Sequence, residues 1–122
     1  MEIWKDIEGY EGRYQVSNLG NVKSLNYRMK GYASLIKPKI NVSGYAWVAL
    51  WKHRNCKPML VHRLVAIAFI ENPNDYPLIN HKDENPLNNN VDNLEWCTHS
   101  YNVRYSLALH PYRDRKTGDI RY

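Results

Sequence analysis

Three residues in the second half of the chain combine types and spacing suited to chemistry: His81, the amide Asn80 beside it, and Asn102 further along. Leu78-Ile79-Asn80-His81 reads as a short apolar strand and Lys82 to Asp92 as a polar loop. Leu94-Glu95-Trp96-Cys97 reads as a second strand, and Thr98 as the cap of a helix running to about Leu109. On such a strand, loop, strand, helix scaffold a residue ending the first strand can face one in the first helical turn, which sets His81 opposite Asn102. Hydrolysis of a phosphodiester needs an in-line nucleophile, neutralisation of the pentavalent phosphate and help for the leaving oxygen, and a histidine with one cation meets all three needs. Neutral imidazole accepts a proton near pH 7, its ordinary pKa being about 6.5. Amide oxygens are hard donors suited to magnesium or manganese.

The elements that must position these residues lie upstream. Val61, Leu64, Val65, Ala68 and Phe69 mark one stripe of a helix, ended by Asn72-Pro73, that packs on a sheet. Before it, between Leu35 and Met59, the period is two: Tyr45, Trp47, Ala49 and Trp51 fall on one face of a strand and Ala46, Val48 and Leu50 on the other. Turns at Ser43-Gly44 and from His53 to Cys56 make this a meander. The Tyr and Trp stripe is expected in the core. Further upstream, Arg13-Tyr14-Gln15-Val16-Ser17 and Asn21-Val22-Lys23-Ser24-Leu25 alternate like strands of a hairpin around Leu19-Gly20. Three consecutive asparagines, Asn88 to Asn90, predict a loop folded around its own side-chain hydrogen bonds. The fold class is α+β: a small antiparallel N-terminal sheet and a helix, packed with the strand, loop, strand, helix unit. Residues 1–60 form a β-rich module, 61–110 the chemical unit, and 111–122 a charged tail.

The chain has 122 residues, enough for one shared core, and a net charge of +5 that favours a polyanionic partner. Cys56 and Cys97 stand far apart and form no C-x-x-C pair, so they read as free thiols and argue against a zinc knuckle or a disulfide framework. The longest apolar run, Leu64 to Ile70, is too short to span a membrane, and Met1-Glu2-Ile3-Trp4-Lys5 does not read as a signal peptide. The expected place of action is the cytoplasm of the host cell.

Ile79-Asn80-His81-Lys82-Asp83, then Asn88-Asn89, then Asn93-Leu94-Glu95-Trp96 and Asn102 resemble the His-Asn-His (ββα-metal) homing endonucleases in order and spacing. Val61-His62-Arg63-Leu64-Val65-Ala66 is similar to the helix before their nuclease motif. Ile3-Trp4-Lys5-Asp6-Ile7 and Tyr14-Gln15-Val16-Ser17-Asn18-Leu19-Gly20 resemble their N-terminal modular DNA-binding segment. The resemblance covers most of residues 2–104. It implies a metal-dependent DNA endonuclease in which His81 is the general base, Asn93 the structural asparagine of the catalytic loop, and Asn80 and Asn102 the ligands of one divalent cation, Mg2+ or Mn2+. It also implies double-stranded DNA as partner, with the protein a monomer or homodimer.

Many relatives carry an aspartate or histidine where Asn80 stands, so the two ligands here add no formal charge and metal binding should be weak until DNA supplies phosphate oxygens. Asp83 is an alternative anionic ligand, and His99 an alternative to Asn102 with a poorer spacing fit. Lys37, Lys39, Lys52 and Arg54 punctuate the strands as DNA contacts; Arg63 and Arg104 could reach phosphates, and His62 and Arg63 could equally anchor their helix. Two rivals stand beside the enzyme: a DNA-binding module whose nuclease site has decayed, and a calcium loop at Asp83-Glu84-Asn85. The calcium loop fits poorly, because Leu87 occupies an oxygen-ligand position and the turn glycine is missing.

Overall fold

A computed structural model of the chain describes residues 1–25 and 33–109; the tail expected over 111–122 lies outside them. Among the described residues there are three antiparallel sheets and two α-helices. The first sheet has the order β1 (Trp4–Asp6), β2 (Tyr14–Ser17), β3 (Val22–Ser24), β4 (Ser34–Ile36). The second joins β5 (Lys39–Ile40), β6 (Ala46–Lys52) and β7 (Asn55–Leu60). Helix α1 (Val61–Phe69) follows directly, then β8 (Leu78–His81) paired with β9 (Leu94–Cys97), then α2 (His99–Leu109).

The N-terminal hairpin falls where the alternation places it, with Val16 opposite Val22 and both buried. Its turn is built on Ser17, whose fully buried hydroxyl accepts from the Leu19 and Asn21 amides. The β6–β7 hairpin closes on two residues rather than the four expected: His53 and Arg54 both have positive φ, 51° and 67°, and Lys52 pairs with Asn55. Two successive left-handed residues match the twist of the flanking strands.

The aromatic face of β6 requires a correction. Ala46, Val48 and Leu50 are the buried face, with Leu50 fully enclosed, whereas Trp47 is half-buried and Trp51 55% exposed. The period of two was legible, but both faces of this strand are apolar, so alternation alone could not say which faced inward. The small and branched side chains fit against α1, and the Trp47 indole meets a lysine instead: Lys39 lies over it at 5.5 Å.

One core joins the N-terminal region, β6, α1 and β9. Ile7, Tyr14, Val16 and Val22 come from the N-terminal region, Val48 and Leu50 from β6, Val61, Leu64 and Val65 from α1, and Leu94 from β9. Helix α1 ends at Phe69, earlier than the Asn72-Pro73 stop, because Asn72 closes a turn of its own by exchanging hydrogen bonds with Tyr76. Arg63 donates to the Pro77 carbonyl and lies over Trp96, whose indole N–H donates to the Ile70 carbonyl. These contacts seat the β8–β9 ribbon against α1.

Candidate active site

His81 ends β8 and is only 7% exposed. Beyond it the backbone turns sharply: the Glu84 amide donates to the His81 carbonyl, and the Lys82 amide reaches the Asn93 carbonyl at 2.8 Å. The loop from 82 to 93 is then closed by side-chain amides. Asn93, buried in the 3-10 turn Val91–Asn93, accepts from the Asp83 amide at 3.0 Å and donates through Nδ2 to Asp83 Oδ1 and the Asn88 carbonyl. Asn85 and Asn90 each accept from a backbone amide two residues on.

Asp83 belongs to this web. Its Oδ1 accepts from the Asn85 amide and from Asn93, its Oδ2 from Asn88. Those hydrogen bonds, from Asn88 first and then Asn85, hold its carboxyl below the usual aspartate range. The carboxylate is therefore engaged in shaping the loop, and it is not among the side chains lining the cleft described below.

Within the loop, Asn89 is buried with its Oδ1 2.9 Å from His81 Nε2. An amide oxygen can only accept, so Nε2 carries the proton and the lone pair lies on Nδ1. The ring is packed by two neighbours, His62 edge-on with centroids 5.1 Å apart and Tyr45 tilted at 5.9 Å. His62 is buried, and its Nδ1 has no hydrogen-bond partner among the described residues. Burial pushes its pKa down to about 4, with smaller electrostatic contributions from His81 and Arg63, so it stays neutral near pH 7.

His81, Asn80 and Asn102 line one cleft of about 210 Å³, together with Tyr45 and Glu84. Strand register places Glu95 directly opposite Asn80, and Asn80 Nδ2 donates to Glu95 Oε1 at 2.9 Å. Its nitrogen is thus engaged by Glu95 while the residue lines the cleft. Asn102 sits in the first turn of α2, where its amide bonds the Thr98 carbonyl and Thr98 Oγ1 caps the helix by accepting from Tyr101. Tyr105 ties the same helix to the Lys82 carbonyl, and Tyr101 to Glu95. His99 is exposed at the start of the helix and does not line the cleft.

Among the described residues no three His, Cys, Asp or Glu side chains converge as a metal cluster. The oxygen donors lining the cleft include the amides of Asn80 and Asn102 and the carboxylate of Glu84, hard donor types that fit magnesium or manganese better than zinc. The cations expected at DNA differ in their freedom. Lys37, Lys39, Arg54 and Arg104 are exposed, whereas Lys52 donates to the Gly9 carbonyl at 2.8 Å and Arg63 is the anchor described above.

Sequence reasoning placed His81, Asn80, Asn93 and Asn102 but assigned no role to Asn89 or Glu95, and none at the site to Tyr45. Glu95 could have been found by pairing the two strands from His81 opposite Leu94. Asn89 carries no local signal that separates it from Asn88 and Asn90.

A strand, a clamped polar loop, a second strand and a capped helix around one histidine define a nuclease unit of the His-Asn-His class. Residues 59–104 match the HNH endonuclease family profile, and residues 2–51 match the NUMOD4 motif. Over residues 59–104 the chain is similar to the HNH endonucleases, and over most of its length to a homing endonuclease of that class. It is 42% identical to the DNA endonuclease I-HmuI of Bacillus phage SP01 over 86% of its own length and 58% of that protein's. An uncharacterised HNH endonuclease of Acanthamoeba polyphaga mimivirus is 50% identical over 56% of this chain and 21% of its own length. The solved structure of I-HmuI, in a study of its DNA binding and cleavage, superimposes with a TM-score of 0.81 at 40% identity, covering 93% of this chain and 63% of that one. The chain thus spans less than two thirds of each of these relatives.

Proposed function

We propose that the chain is a metal-dependent endonuclease acting on double-stranded DNA, with residues 61–110 as the cutting unit and residues 1–60 as the module that holds the duplex. The observation that carries this reading is the hydrogen bond from His81 Nε2 to Asn89, in a cleft shared with Asn80 and Asn102. With Nε2–H engaged, Nδ1 of His81 is the atom that takes the proton of an attacking water. Asn93 keeps the loop closed behind it. Asn80 and Asn102 would hold one divalent ion, Mg2+ or Mn2+, which when bound stabilises the charge of the pentavalent phosphate and of the departing 3′-oxygen. Products with 5′-phosphate and 3′-hydroxyl ends follow. The exposed Lys37, Lys39, Arg54 and Arg104 hold phosphates, while Lys52 and Arg63 act first as internal anchors.

A single site cuts one strand, so a monomer nicks, and double-strand cleavage needs a homodimer or two visits. No helix among the described residues is long and apolar enough to cross a membrane, and the host cytoplasm is the compartment that fits the substrate. The test is nicking of supercoiled plasmid with manganese, comparing wild type with His81→Ala. Loss of the general base should cost about 10²–10⁴ in rate while DNA binding persists. Equal nicking by the two proteins would sink the enzyme reading and leave a DNA-binding module.

A further inference from the structure

The turn Ser17-Asn18-Leu19-Gly20 belongs to the N-terminal module, yet it touches the loop that holds His81. Gly20 has φ +91°, and a Cβ placed on it would stand 2.9 Å from both the Cβ and the carbonyl oxygen of Asn89. Beside this contact the Val91 amide donates to the Asn18 carbonyl at 2.8 Å. The turn is itself stiff, because the buried Ser17 hydroxyl accepts two of its amides and the Gly20 amide closes back on the Ser17 carbonyl at 3.0 Å. Residue 89 is thus pressed from one side by a backbone with no side chain to yield, and its other end holds His81 Nε2.

We propose that this turn is a positioning element of the active site: Gly20 and the Asn18 carbonyl seat residues 89–91 so that the Asn89 amide meets His81. The N-terminal module then forms part of the wall of the catalytic loop as well as a grip on DNA. Close approach is the physical requirement, since the gap between the Gly20 and Asn89 backbones admits no methyl group. The inference rests on the reading of His81 as general base.

Gly12 supplies the matched control. Its φ is +77°, so alanine there meets similar backbone strain, but nothing lies within 4 Å of the added carbon. Single-turnover nicking at saturating DNA and manganese should fall about ten- to a hundredfold in Gly20→Ala, with DNA affinity unchanged and Gly12→Ala near the wild-type rate. Independently of activity, the imidazole 15N shifts of His81 should report the Nε2–H tautomer in wild type and Gly12→Ala, and a mixture in Gly20→Ala. Should Gly20→Ala fail to fold, Ser17→Ala loosens the turn without adding atoms and is expected to move the same two readouts. Equal losses in the two glycine variants, or a wild-type rate and tautomer in a folded Gly20→Ala or Ser17→Ala protein, would overturn the proposal. If wild type itself shows no His81-dependent nicking, the functional reading fails, and the 15N pattern still decides whether the turn positions the ring.

Discussion

In β6 every second side chain disappears into a core of Ala46, Val48 and Leu50, held by apolar contact with α1 and the N-terminal hairpin. In residues 82–93 order has another source: Asn93, Asp83 and Asn88 are linked by directed hydrogen bonds, Asn89 is bonded to His81, and Leu87 points outward at 50% exposure. Apolar packing is non-directional and tolerates exchange among side chains of similar volume. An amide web is unforgiving, because each donor lost leaves a buried acceptor without a partner. The comparison teaches where precision resides in this molecule. The sheets supply stability, and the loop supplies the geometry of one imidazole.

The contrast is broken if core and loop substitutions act alike. Leu50→Ala should cost about 2–5 kcal/mol by chemical denaturation, because it opens a cavity in a fully packed site, while the rate per folded molecule stays at the wild-type value. A changed rate would show that the core also sets the site.

Acid sharpens the boundary between the two regions, since His62 belongs to the core helix and touches His81. Its folded pKa of about 4 lies below its ordinary value of 6.5, so as pH falls the unfolded chain takes up the proton first. Stability from this group is complete above about pH 6.5 and is lost on descent toward pH 4, by up to about 3 kcal/mol. Denaturation midpoints across that window check it, and His62→Phe should flatten the slope.

Asn93→Ala should cost about 1–3 kcal/mol, less than the core change, yet reduce the rate per folded molecule far more, since it removes the three hydrogen bonds that close the loop. Measuring stability and rate on the same sample separates the two effects. Trp51→Ala is the smallest: stability should stay within about 0.5 kcal/mol, because the indole is more than half exposed. A stability loss as large as that of Leu50→Ala would return the aromatic face of β6 to the core.

Much of this was legible in the residues themselves. The N-terminal hairpin followed from alternation around Leu19-Gly20, α1 from its apolar stripe, and the Thr98 cap from residue type, because each depends on neighbours within a few positions. Strands β1 and β4 were not anticipated, being three residues each and too short to show a period. The inward face of β6 was misassigned, since hydrophobicity was present on both sides and the deciding factor was the volume available against α1.

The candidate site divides in the same way. By itself the sequence determined that His81 and Asn102 would face each other on a strand, loop, strand, helix frame, since their order and spacing are properties of one continuous segment. Only the tertiary structure decided which of three adjacent asparagines faces the histidine, that Glu95 commits the Asn80 amide, and that Asp83 belongs to the loop. It alone brought Gly20 against Asn89. Those choices depend on strand register and on contacts between residues distant in the chain, where a single hydrogen bond has one partner and local pattern does not name it.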